Sequence, residues 1–235
     1  RLESTEVSDG HPYLIPPFAD PHIHGGWGIS IQRGEFEALE TRLRRLGVLF
    51  AIPALINTTL DNMERAAADF ESYIRSRPDS IFPFIRVEGP FISREKKGIQ
   101  PEEFIIPLTD KNIDRFLSIR TVKMFTFAPE LDGAEILAKK ALAAGKIPSI
   151  GHSHATYARF LEMMELGVRH ITHYPNALSP LNHRELGLVG AGLLSRDCHL
   201  EVIGDLVHSS KDFLELLLQI RGPVFSLTAD LIPPA

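Results

Sequence analysis

Residues 147–174, IPSIGHSHATYARFLEMMELGVRHITHY, hold a short apolar run, a segment of helical character and a second short run. The first run, 147–152, ends in His152. The helical segment covers 155–166, and the second run, 169–174, carries His173 near its end. A strand, a helix and a strand in that order form the unit from which parallel sheets are built. The alternation continues in both directions. Candidate strands lie near residues 14–22, 47–56, 81–88, 121–127, 147–152, 169–174, 199–205 and 223–229. Between them, 61–77 places Met63, Ala66, Phe70 and Ile74 on one helical face, with Arg and Glu on the other. The segment 131–144 is expected to open on Asp132 as N-cap and to stop at Gly145 as C′ glycine. A further helix is expected over 210–221. Residues 89–110 are punctuated by Pro and Gly and read as a long loop after the third strand. Loops at that end of a barrel carry function. There is no internal repeat and no low-complexity tract. Eight strands in one run predict an α/β fold, a single (β/α)8 TIM-type barrel, and 235 residues suffice to build one.

Bulk composition narrows the function classes. The net charge is −5 with both signs mixed, so no basic stripe for nucleic acid and no polybasic arm for a membrane is present. Cys198 is the sole cysteine, which excludes an intrachain disulfide and suits a reducing compartment. No apolar run is long enough to span a bilayer. The start lacks the layout of a signal peptide. It also lacks an initiating methionine, which suggests a fragment or a processed form. The cytoplasm is the expected address.

In such a barrel the reactive side chains sit at the C-terminal ends of the strands. The first candidate strand runs into His22-Ile23-His24, two imidazoles whose spacing puts them on one side of the strand. Glu88, His152, His173 and Asp230 close the third, fifth, sixth and eighth. A lone histidine at a strand end is usually a packed or hydrogen-bonded residue, and His-x-His alone is a weak motif. Five strand ends carrying ligand-type groups are a different matter, because independent bland explanations must then coincide. Imidazole nitrogen and carboxylate oxygen suit a borderline divalent ion, zinc or iron(II). A carboxylate at the last strand, Asp230, is placed to take and return a proton. His154, His170, His183 and His199 are left as structural, and Cys198 as a packed thiol. Phe82, Phe84, Phe125 and Phe127 read as barrel packing. Trp27 reads either as a cover for the site or as rim packing.

Several motifs go further. Pro17-Phe18-Ala19-Asp20-Pro21-His22-Ile23-His24-Gly25 resembles the first-strand motif of the amidohydrolase superfamily. Val87-Glu88-Gly89-Pro90-Phe91-Ile92-Ser93 with Lys96-Lys97-Gly98 resembles N-acetylglucosamine-6-phosphate deacetylases in particular. So do Phe127-Ala128-Pro129-Glu130, Gly151-His152-Ser153, Thr172-His173 with Asn176-Ala177, and His183-Arg184-Glu185 with Gly187. The resemblance runs from about residue 14 to 235. It implies a metal-dependent hydrolase barrel over 14–235, incomplete at both ends, with 1–13 a remnant of an N-terminal β segment and the small β-domain largely missing. It implies Glu88, His152 and His173 as the principal metal ligands and His22 and His24 as a second metal position. Asp230 becomes the acid/base. Asn176, Ala177 and Arg184 become phosphate contacts, with Arg184 donated across a homodimer, and His208 a further substrate contact.

Three departures bear on substrate. Gln100 stands where the family pattern Lys-Lys-Gly-x-His has histidine, a residue the resemblance places against the substrate carbonyl. Leu206 stands where Asp-Gly-x-His has glycine before His208. The chain stops shortly after Asp230, where family members continue. The expected reaction is hydrolysis of N-acetylglucosamine 6-phosphate to glucosamine 6-phosphate and acetate. Two alternatives stay open: a deacetylase or deaminase for another substrate, and a chain that binds metal or sugar phosphate without turnover.

Overall fold

A computed structural model of the protein describes residues 15–233. The expected N-terminal segment 1–13 lies outside the described residues. Eight parallel strands follow one another in a single sheet, each beside its sequence neighbour. They are β1 (Phe18–Ile23), β2 (Val48–Ile56), β3 (Ile85–Glu88), β4 (Val122–Phe127), β5 (Ile147–Ile150), β6 (His170–Ile171), β7 (His199–Ile203) and β8 (Ser226–Thr228). The last strand returns to the first. Thr228 Oγ1 donates to His22 O at 2.8 Å and reaches Asp20 Oδ1 at 2.7 Å, and Asp230 N donates to His22 O at 3.0 Å. These bonds bring the two ends of the sheet together as a barrel.

Seven α-helices lie among the described residues: α1 (Phe36–Arg45), α2 (Leu60–Ser76), α3 (Asp110–Ser118), α4 (Ala134–Ala143), α5 (Tyr157–Leu166), α6 (Gly187–Leu194) and α7 (Lys211–Arg221). In α2, Leu60, Met63, Ala66, Ala67 and Phe70 recur at three- and four-residue spacing and are buried, while Thr59 caps the first turn by accepting from Asn62 N. Thr109, Thr156 and Ser210 cap α3, α5 and α7 in the same way.

Two expectations need correction. The N-cap of α4 is Gly133, not Asp132. Its φ is 91°, and a Cβ there would approach Leu108 O to 3.0 Å, so the chain turns tightly where only glycine fits. Gly145 does sit in the left-handed region just past that helix. β3 starts at Ile85 rather than near 81, although Ile81 and Phe82 are buried.

The main apolar core lies between strands and helices, around Phe36, Phe70, Phe116, Phe125, Phe127 and Phe160. Phe82 joins it, while Phe84 is only half-buried. One layer inside the barrel is polar. Arg86 of β3 pairs with Glu201 of β7, and both side chains are 0% exposed. Arg86 also donates to Pro21 O at 3.0 Å and to Thr172 Oγ1 at 3.1 Å. Thr172 in turn contacts Thr126 and Ser149. Branched apolar side chains ordinarily fill such a layer.

Candidate active site

Five side chains expected as ligands, and the expected acid/base, meet at the C-terminal mouth of the barrel. Glu88 Oε1 lies 2.5 Å from His152 Nε2 and 2.7 Å from His173 Nε2, and those nitrogens are 3.1 Å apart. Glu88 Oε2 lies 3.1 Å from His24 Nε2, which is 3.1 Å from His22 Nε2. Asp230 Oδ1 stands 3.5 Å from His22 Nε2 and 3.4 Å from His24 Nε2. Glu88 therefore joins two groups, one with His152 and His173 and one with His22, His24 and Asp230.

Local backbone aims these groups. His152, His173 and Asp230 follow their strands with φ of 47°, 31° and 46°, in the left-handed region that side-chain-bearing residues avoid. Strain of this kind persists where the surroundings enforce it, commonly at functional sites.

The backs of the rings decide what the fronts offer. His24 Nδ1 lies 2.7 Å from Ala54 O, His152 Nδ1 2.7 Å from Lys96 O, and His173 Nδ1 3.2 Å from Asn176 O. A carbonyl only accepts, so each Nδ1 carries a proton, which leaves each Nε2 facing the cluster as the nitrogen that can hold a cation once it has lost its own proton. Three such nitrogens around one carboxylate are a donor set that fits a borderline divalent cation.

Electrostatics agree. Burial drives the Glu88 carboxyl up, but His152, His173 and His24 outweigh it and hold the group well below the usual range. Burial opposes charge on His24 too, yet Asp230 and Glu88 push its pKa up to about 9. Burial likewise opposes a raised His173, and Glu88 overrides it. Asp230 is lowered against burial, chiefly by His22 and His24. A proton and a cation compete for the same nitrogens.

The expected substrate residues scatter. Asn176 and Ala177 lie just beyond His173, with Asn176 N donating to His173 O at 2.8 Å. Arg184 is exposed, and His208, also exposed, pairs with Asp205 Oδ2 at 2.7 Å. His208 does not join the cluster around Glu88, and among the described residues Arg184 bonds only through its backbone N, to Asn182. Gln100 is 1% exposed. Its Oε1 accepts from Asn57 N at 2.7 Å and its Nε2 donates to Glu88 Oε2 at 2.6 Å, so both ends of the amide are engaged within the chain.

Among the residues left as structural, His154 contacts Ser93 and Glu130, outside the cluster. The Cys198 thiol is buried, and burial pushes it up to about 12. Trp27 is exposed and lies against the Arg42 guanidinium, 5.0 Å from ring to cation.

Three supporting residues were not read from the sequence: Asp20, Arg86 and Glu201. Asp20 accepts from His22 N and Thr228 Oγ1. The available signal was charge in the wrong place, an arginine inside one buried apolar strand and a glutamate inside another.

No family model matches the chain. Among curated relatives, an N-acetylglucosamine-6-phosphate deacetylase of Bacillus subtilis is 30% identical over 221 residues, 89% of this chain and 55% of the relative. An N-acetylgalactosamine-6-phosphate deacetylase of Escherichia coli O157:H7 is 27% identical over 201 residues, 83% of this chain and 53% of the relative. The crystal structure of N-acetylglucosamine-6-phosphate deacetylase from Thermotoga maritima superposes with a TM-score of 0.84 at 37% identity, covering 90% of this chain and 58% of that one. A Mycobacterium smegmatis mutant in complex with N-acetyl-D-glucosamine-6-phosphate gives 0.84 at 26%, covering 93% and 58%. The chain spans about half the length of the curated relatives it matches. Over the barrel it shares with them, the chain is a homologue of the N-acetylglucosamine-6-phosphate deacetylases.

Proposed function

We propose that this barrel hydrolyses the acetamide of an amino-sugar phosphate, N-acetylglucosamine 6-phosphate first, releasing acetate and the free amine with the help of a divalent ion. The observation that carries this reading is the convergence of His24, His152 and His173 Nε2 on Glu88 beside an ionised Asp230. Glu88, His152 and His173 would hold one ion, and His22 and His24 a second where one binds. Zinc and iron(II) are the candidates. Bound there, such an ion supplies Lewis acidity, lowering the pKa of a water and polarising a carbonyl.

The chain's own groups supply the proton traffic. Asp230 is ionised and one-fifth exposed, so it can take a proton from water and return it to the leaving nitrogen. Gln100 orients Glu88 from behind rather than meeting substrate. Asn176, Ala177 and His208 stand on the mouth side as candidate sugar-phosphate contacts. Arg184 is free to reach a phosphate in a second subunit of a homodimer, where its planar fork suits the oxygens. No helix among the described residues is long and apolar enough to cross a membrane, and we place the reaction in the cytoplasm.

A second reading is favoured by Leu206: the same chemistry on an epimeric or otherwise altered amino-sugar phosphate. Acetate release from N-acetylglucosamine 6-phosphate and N-acetylgalactosamine 6-phosphate, with zinc or iron(II) and with chelator, tests both. Release from one substrate that stops on chelation is expected. No release from either with any ion would refute the proposal.

A further inference from the structure

His22 differs from the other imidazoles of the mouth in what lies behind it. Among the described residues no backbone carbonyl meets its Nδ1. That nitrogen is fully buried without a hydrogen-bond partner, and so is Oε2 of Glu201. The two unpartnered atoms face each other at 3.5 Å, inside the barrel.

We propose that Glu201 is a positioning residue for the metal centre. It accepts the Nδ1 proton of His22 and thereby fixes that ring with its Nε2 lone pair toward His24 and Asp230. The inference rests on the mouth being a metal site.

The geometry supports a dedicated device. Glu201 Oε1 is held by Arg86, which is anchored in turn on Pro21 O and Thr172 Oγ1. Pro21 directly precedes His22, and Thr172 directly precedes His173. One guanidinium thus ties together the first, third, sixth and seventh strands just beneath the ligand residues. A fully buried ion pair is seldom the most stable filling for its volume, because desolvation consumes most of the attraction. Two apolar side chains would pack the same layer without that cost. What they cannot do is offer His22 an acceptor. Partners behind metal-bound histidines fix tautomer and ring orientation, and losing one typically weakens metal binding about 10- to 100-fold.

Two variants of the purified protein test this. The double variant Arg86→Met with Glu201→Leu removes the acceptor without stranding a charge. Glu201→Gln keeps the shape and leaves one carbonyl oxygen for two donors. Zinc affinity is measured by competition with a chelator, and the His22 tautomer by 15N-imidazole NMR on metal-free protein. The proposal expects wild-type His22 to carry its proton on Nδ1. In the double variant, it expects that signature to be lost or mixed and zinc binding to weaken at least about tenfold while the fold is retained. If the double variant does not fold, Glu201→Gln must show the same changes. A folded variant with the wild-type tautomer and affinity would overturn the proposal. Wild-type protein that binds no zinc or iron(II) would instead refute the metal-site reading, and the metal-free tautomer would still decide the Glu201–His22 contact.

Discussion

Gln100 Nε2 donates to Glu88 Oε2 at 2.6 Å, while Gln100 Oε1 accepts from the backbone of Asn57. The side chain is a strut between the end of β2 and the carboxylate that joins both ligand groups. Gln100→Ala should therefore weaken metal binding, by about 10- to 100-fold on the scale of lost outer-shell partners, with a smaller change in KM for the sugar phosphate. Chelator competition and steady-state kinetics separate the roles. A raised KM with unchanged metal affinity would make Gln100 a substrate contact after all.

Asp230 lies within ligand distance of His22 and His24 but is the most exposed member of its group. Asp230→Asn should cut kcat by at least about a hundredfold, the range of general acid–base catalysis, with metal content near wild type. Loss of metal with an unchanged rate per bound ion would assign it as a ligand instead.

Proton and cation compete at His24, whose pKa is pushed up to about 9. Below that pH the folded, ion-free protein holds a proton where the ion must bind, and binding releases it. Zinc affinity should weaken on acidification below about pH 9, by up to about tenfold per pH unit for each proton displaced. Affinity that is flat between pH 6 and 9, measured against a chelator of known protonation, would contradict this.

Leu206 has a φ of 62° and is exposed, in a turn where Val207 N and His208 N both donate to Asp205 Oδ1. A side chain in that region costs about 1–3 kcal/mol, part of which glycine forfeits through its freer unfolded chain. Leu206→Gly should raise stability by about 1 kcal/mol in denaturant titration. Equal or lower stability would mean that the leucine makes a compensating contact.

Arg184 makes no hydrogen bond through its guanidinium to any described residue and projects into solvent. Arg184→Ala should raise KM for the phosphorylated sugar with little effect on the unphosphorylated one. Mixing this variant with His173→Ala should restore activity if the arginine crosses a dimer, since one hybrid site regains both parts. Lack of rescue in demonstrated mixed dimers would place it in its own subunit's site or outside any site.

All eight strands were legible because each is a short apolar run set between helical segments or turns. α2, α5 and α7 were legible because their caps and apolar spacing are local. α6 was not. Its sequence GLVGAGLL is apolar all round and buried, so it has no periodic face to read. The candidate ligand residues could be listed from strand ends, but their convergence could not. It depends on left-handed turns at His152, His173 and Asp230, residue types that give no hint of such a backbone. The resemblance puts Gln100 near the substrate carbonyl, but a matched motif position fixes a neighbourhood and not the direction in which the amide points. The Arg86–Glu201 pair joins positions 115 residues apart, a contact that only the closed barrel creates.

The bonds from Thr228 and Asp230 to Asp20 and His22 span more than 200 residues. Of the eight strands β1 is made first, and β8, which closes the barrel against its free side, is made last. Until β8 arrives, β1 presents unpaired backbone groups beside the exposed ring of Phe18, the kind of edge on which chains stick to one another. Because contacts between distant strands are slow to form, the barrel stays open until β8 has been made. Yield in the cell should therefore depend on how well that first edge is shielded until β8 is made, by chaperones or by fast elongation.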